Sequence, residues 1–118
     1  MFNLFVAIHN NALLRGIMKI VAVTACPTGI AHTYMAADAL QKSANTLNIK
    51  IKIETQGAMG VENMLTAKDI VAADLVLIVS DIDIAQNERF AGCNVLHIPL
   101  ESVLLDAKTA LYKAIRHA

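Results

Sequence analysis

From Lys19 to Thr24 the chain reads KIVAVT, a short unbroken apolar run rich in β-branched residues. Such a run predicts a strand buried on both faces. Between Thr33 and Leu47 the spacing turns helical. Met35, Ala36, Ala39, Leu40 and Leu47 share one side, and Asp38, Gln41, Lys42 and Asn45 the other. IKIKIE, residues 49–54, alternates strictly, as a half-buried strand near a sheet edge does, with Lys50 and Lys52 discouraging edge-to-edge pairing. The two glycines of TQGAMG mark a loop. Thr66 is placed to cap a short helix through Ala73, with Asp69 at capping-box spacing. DLVLIVS is a second fully apolar strand, and DID opens the loop after it. A short helical piece around residues 85–90 leads into NVLHIP, a fourth strand that Pro99 stops. From Glu101 onward, Leu104, Ala107, Leu111 and Ile115 mark one face of a final helix. Its acidic residues Glu101 and Asp106 fall early and Lys113, Arg116 and His117 late, complementing the helix dipole.

Strands alternating with helices imply right-handed crossovers and a parallel sheet covered on both faces. The expected fold is α/β, a three-layer α/β/α sandwich on a four-stranded parallel sheet, Rossmann-like or flavodoxin-like. In such folds ligands bind beyond the carboxyl ends of the strands, at the switch in strand order. The loop that begins at Cys26 falls there. A length of 118 residues suits one domain. Residues 1–17, MFNLFVAIHNNALLRGI, are expected to be an extension outside the core fold, with residues 18–118 as the folding unit. The apolar run from Leu4 to Ile8 is too short to span a bilayer, and Arg15 comes too late for a signal peptide. The alternative for this segment is a short amphipathic stretch docking on the domain or on a partner.

Composition narrows the function. The chain is 56% hydrophobic with no net charge, which argues against disorder and against a nucleic-acid binder. Lys42, Lys50 and Lys52 are the nearest approach to a basic patch, and no aromatics interleave them. Cys26 and Cys93 match no zinc or CxxC spacing, and two cysteines do not make a disulfide framework, so a reduced, intracellular chain is expected.

The chemistry gathers at Cys26, which follows the first strand directly and is followed by Pro27, Thr28, Gly29, Ile30, Ala31, His32 and Thr33. With a helix starting near Thr33, the backbone N–H groups from Thr28 to Thr33 have no helical partners and are free to converge on one spot. Pro27 has no N–H to contribute, and Gly29 allows a tight turn and a close backbone approach. A ring of amides at a helix N-terminus cradles anions, whether a thiolate or a phosphoryl group on sulfur. The alternative is a small buried cysteine beside an ordinary turn. A phosphatase loop separates its cysteine from an arginine by five residues. Here His32 stands in that place, followed by Thr33, and a guanidinium's bidentate grip on phosphate is missing. The loop therefore reads as accepting a phosphoryl group and releasing it to another acceptor rather than to water. His32 is open to either a phosphate contact or a structural role.

VAVTACPTGIAHTYMAADAL, residues 21–40, resembles the signature of the fructose-type enzyme IIB component of the bacterial phosphoenolpyruvate:sugar phosphotransferase system. The likeness runs from Lys19 to about Val95 and continues through IETQGAMGVENMLTAKDIVAADLVLIVSDIDI and ERFAG. It implies a cytoplasmic domain on a four-stranded parallel sheet. Its Cys26 would take a phosphoryl group from a phosphohistidine on a IIA protein or domain. The group would then pass to fructose or a similar sugar held by a membrane-embedded IIC transporter, at the inner face of the membrane. Pro27 to Thr33 match the loop around the phosphocysteine, and no cofactor or nucleic acid is implied. Two rivals remain at this point: a low-molecular-weight-type cysteine phosphatase, and a non-catalytic module regulated by phosphorylation.

Ile30 and Ala31 are read equally as docking surface or as packing under the loop. Gln56 and Gly57 border the site or form a plain turn, the turn being favoured. Asp81 and Asp83 lack a third metal ligand and read as solvated carboxylates or a helix cap. Arg89 is a site cation or a surface ion pair, Cys93 reads as structural, and His97 as a core histidine. His9 and His117 carry no signal.

Overall fold

The computed structural model describes residues 18–117. The expectation for residues 1–17 lies outside them. β1 (Lys19–Ala25) leads to α1 (Ala31–Thr46), β2 (Lys50–Gly57), β3 (Gly60–Glu62) and α2 (Ala67–Ala72). β4 (Leu75–Ser80), a 3-10 turn (Asn87–Phe90), β5 (Val95–Ile98) and α3 (Leu100–Arg116) complete the order. The sheet has five strands in the order β3-β2-β1-β4-β5. β2, β1, β4 and β5 are the four expected parallel strands, and β3 is an added antiparallel edge strand.

The extra strand corrects the expected count of four. Gly57 pairs with Gly60 across a tight turn, and Gly60 adopts φ +89°, a conformation glycine reaches without strain. All three residues of β3 are exposed, so no apolar alternation announced it. It also removes β2 from the sheet edge.

Side-chain alternation explains the unbroken apolar run of β1. Ile20 and Ala22 face α1 and α3 in a core with Leu40, Leu77, Val79, Val103 and Leu111. Val21 and Val23 face the other way, onto Leu65, Ile70, Val76, Ile78 and Phe90. Both faces are covered, so past Lys19 the strand carries no charge, and its one polar side chain, Thr24, is hydrogen-bonded. α1 buries Thr33, Ala36, Leu40 and Ala44, while Met35, expected on that face, is 57% exposed. His97 is likewise exposed rather than in the core, because β5 is the outer parallel strand.

α2 begins with the anticipated capping box. The Asp69 amide donates to Thr66 Oγ1 at 3.1 Å, and the Thr66 amide donates to Asp69 Oδ2 at 2.8 Å. Asp69 also receives Lys52 Nζ at 2.6 Å, and these bonds, Lys52 first, hold its carboxyl down at about 2. Asp81 serves as a helix cap, accepting from the Leu100 amide at 3.4 Å at the start of α3. α1 and α3 each carry the chain back to the edge where the parallel strands begin, and His117 shares a shallow groove there with Leu96 at the start of β5. Among the described residues no helix is long and apolar enough to cross a membrane.

Candidate active site

β1 has β2 on one side and β4 on the other, so the crossover from β1 to β2 and the one through α2 to β4 run in opposite directions. The crevice this creates lies beyond the carboxyl end of β1. Cys26 is the first residue past that end.

Three hydrogen-bonding groups converge on its sulfur. The Gly29 amide lies 3.2 Å from Sγ, the Thr33 hydroxyl 3.0 Å and the Thr28 hydroxyl 3.5 Å. Gly29 and Thr33 are held in place by the fold. Gly29 takes φ +66°, which a side chain disfavours. Thr33 is fully buried, and its carbonyl accepts a hydrogen bond from the buried Thr24 hydroxyl at 3.0 Å. The α1 helix starts at Ala31 instead of Thr33, and its N-cap residue Ile30 supplies no side-chain cap. The sulfur, bonded by the Thr33 hydroxyl of the first turn of α1, sits at the helix N-terminus, where negative charge is favoured.

Cys26 is 3% exposed, beneath a single layer of loop whose Pro27, Thr28, Ile30, Ala31 and His32 are exposed. Burial pushes the thiol up. The bonds from Thr33, Thr28 and Gly29 together outweigh it and bring the pKa from 9.0 down to about 6. A thiolate is therefore the main form at neutral pH. Of the residues singled out in the loop, Thr28, Gly29 and Thr33 bond the sulfur. Pro27, Ile30, Ala31 and His32 make no hydrogen bond to it.

Thr33→Val keeps the shape and removes the shortest donor. The pH midpoint of Cys26 alkylation by iodoacetamide, read in a Cys93→Ser background, is expected to rise by about one unit.

A second set of residues surrounds the first. Glu54, at the polar position of IKIKIE, is fully buried. Its Oε1 accepts from the Leu65 amide at 2.9 Å and Arg89 Nη1 at 2.8 Å, and its Oε2 accepts from Arg89 Nη2 and from Gln56 Nε2 at 2.9 Å. Desolvation raises the Glu54 carboxyl, but Arg89, Gln56 and Leu65 together hold it below the ordinary range. Arg89 is thus neither a site cation nor a surface ion pair: it is the partner of a buried carboxylate. Gln56 is more than a plain turn. Its side chain donates to the Ala85 carbonyl at 3.1 Å and accepts from the Ala85 amide at 2.8 Å, which ties β2 to the loop after β4. The sequence carried a faint signal for this cluster: a carboxylate and an amide two apart at a strand end, and a lone arginine in ERFAG.

The family model described as "PTS system, Lactose/Cellobiose specific IIB subunit" matches residues 21–113. The chain belongs to the PTS IIB family. This IIB chain is 46% identical over 99 residues to the "PTS system fructose-like EIIB component 2" of Escherichia coli (strain K12), covering 84% of this chain and 93% of that one. It is 44% identical over 97 residues to the "PTS system fructose-specific EIIABC component" of Bacillus subtilis (strain 168), covering 82% of this chain and 15% of that much longer one. The solution structure of an enzyme IIB subunit of the PTS system from Escherichia coli K12 superposes with a TM-score of 0.76 at 40% identity, over 81% of this chain and 89% of that one. A crystallised domain of the fructose-specific IIABC component of Borrelia burgdorferi gives 0.77 at 38% identity, over 83% and 93%. The α/β fold of this IIB chain is thus that of solved PTS IIB domains.

Proposed function

We propose that this IIB chain carries a phosphoryl group on Cys26, between a phosphohistidine of a IIA protein or domain and fructose or a fructose-like sugar held by a membrane IIC component. The convergence of the Thr28, Gly29 and Thr33 donors on one sulfur carries this reading. In the first step a lone pair on the Cys26 thiolate attacks phosphorus. The P–N bond of the donor breaks, the nitrogen keeps its electrons, and the ring leaves as neutral imidazole after taking one proton from solvent or an acid. In the second step a sugar hydroxyl attacks, the P–S bond breaks, and the thiolate returns while the hydroxyl proton leaves to solvent or a base. The same donors that hold the thiolate serve the departing sulfur and the phosphoryl oxygens, which is why one loop suits both steps.

Release to a sugar rather than to water follows from what the loop lacks. His32 occupies the position of a phosphatase arginine, and Arg89 is committed to Glu54. Partner docking is supported by Ile30 and Met59, which are 59% and 76% exposed. Their turns adjoin, because the Ala58 amide donates to the Gly29 carbonyl at 2.7 Å. Exposed apolar groups beside a reactive thiol suit transient protein contact. The names of the relatives support fructose-like sugars and the IIA and IIC partners.

Incubation with a phosphorylated fructose-type IIA protein should place phosphate on the Cys26 peptide, stable to alkali and labile to iodine, as mass spectrometry reads it. Label found on His32, or on no residue, would defeat the proposal.

A further inference from the structure

Two glycines meet where the Cys26 loop touches the β2–β3 turn. The Gly29 carbonyl accepts from the Ala58 amide at 2.7 Å. A Cβ built on Gly57 would lie 2.5 Å from the Gly29 oxygen and 2.6 Å from the Tyr34 hydroxyl, and one built on Gly29 would lie 2.9 Å from the Ala58 nitrogen. The hydroxyl of Tyr34 is buried there with no partner among the described residues. Both close approaches to Gly29 and Ala58 involve backbone, which cannot swing aside as a side-chain tip does. One of the two segments must move if position 57 gains a side chain.

The hairpin is the better anchored of the two. Glu54, three residues before Gly57, is gripped by Arg89, Gln56 and Leu65, and Gln56 is bonded twice to Ala85. The Asn63 side chain closes the other side by donating to the Ile53 carbonyl at 2.9 Å. The segment left to shift is residue Gly29: its carbonyl meets the hairpin, and on the other side of its Cα its amide donates to the Cys26 sulfur at 3.2 Å and to the Cys26 carbonyl at 3.0 Å.

We infer that Gly57 is a positioning residue for Cys26: its missing side chain lets the hairpin hold the Gly29 carbonyl, and through the Gly29 Cα the amide that reaches the sulfur. The inference rests on the phosphoryl-carrier reading for its bearing on transfer, while the coupling itself belongs to the free protein. Hydrogen bonds weaken steeply with lost distance and angle, so a displaced Gly29 leaves the thiolate with one donor fewer.

The test uses the full chain in a Cys93→Ser background. Gly57→Ala is expected to raise the pH midpoint of Cys26 alkylation by about one unit and to slow the reaction at pH 6 about fivefold. Circular dichroism and a cooperative melt report that the fold is kept. Ala58→Pro is the second variant. Position 58 is the second residue of the turn from Gly57 to Gly60, where proline is favoured, and the change replaces the N–H given to Gly29 with a ring carbon that pushes on the same carbonyl. Its midpoint is expected to rise as well. Adding Tyr34→Phe to Gly57→Ala removes the hydroxyl contact but leaves the Gly29 collision, so the raised midpoint is expected to persist.

A folded Gly57→Ala protein with the original midpoint overturns the inference. So does recovery of that midpoint by Tyr34→Phe, which would route the effect through Tyr34. If Gly57→Ala does not fold, an unshifted Ala58→Pro protein overturns it. Phosphorylation by IIA separates the two claims. An unlabelled wild-type protein with a shifted Gly57→Ala midpoint removes the carrier reading and keeps the coupling. Normal labelling of the wild type with no shift does the reverse.

Discussion

Cys26→Ser is expected to reduce phosphoryl transfer from IIA to sugar by more than about a thousandfold while leaving the domain folded. The fold should persist because a serine oxygen accepts the same bonds from Thr28, Gly29 and Thr33 that now reach the sulfur. Transfer should fail for two reasons. With its pKa at about 6 the thiol is mostly ionised at pH 7, whereas a serine hydroxyl is not. A phosphoryl group that did reach serine would sit on a far poorer leaving group. Sugar phosphate formed with IIA and IIC present is the measurement, and substantial product from Cys26→Ser would refute the assignment. The same variant alters how stability depends on pH. The folded thiol titrates below its unfolded value of 9.0, so its contribution is complete above pH 9 and is lost as pH falls through about 6. The advantage of wild type over Cys26→Ser in urea unfolding is therefore expected to grow from pH 6 to pH 9.

Arg89→Ala should be the most destabilising single change outside the apolar core. It strips the cation from Glu54, whose side chain is 1% exposed, and Arg89 itself is only 16% exposed. Breaking a buried pair from one side costs about 3–5 kcal/mol, because the remaining charge keeps its desolvation penalty. For a domain of about 100 residues that lowers Tm by well over ~10 °C. The pH dependence should invert. In wild type the Glu54 carboxyl titrates below its unfolded value, so its contribution holds above the usual glutamate range and fades as pH falls below it. In Arg89→Ala burial dominates and lifts that carboxyl above its unfolded value, so acidification from pH 7 to pH 5 should partly restore stability. Calorimetry across that range checks both parts. A variant that melts within a few degrees of wild type would show that Glu54 finds other compensation.

How far the chain could be read in advance depended on whether a residue's role is local. β1, β4 and the capping box of α2 were legible, because apolar runs and capping residues act through near neighbours in sequence. The cysteine loop was legible because Gly29 and Thr33 lie within seven residues of Cys26. Glu54 was not, since strict alternation in IKIKIE states that it shares a face with Lys50 and Lys52, not what covers that face. Its partner Arg89 is 35 residues away. β3 escaped notice because an edge strand with every residue exposed has no apolar period. Met35 and His97 were misplaced for a related reason: helical spacing and strand membership do not reveal where a covering layer ends.

The return of α1 and α3 to the starting edge of the sheet has an architectural consequence. Lys19 and Arg116 both lie at the pole opposite Cys26, so the described unit begins and ends on the far side from the sulfur. Under the proposed carrier role, attachment at that pole would leave the Cys26 face uncovered for a donor and an acceptor. The same compact body thus suits both a short chain and one segment of a much longer one.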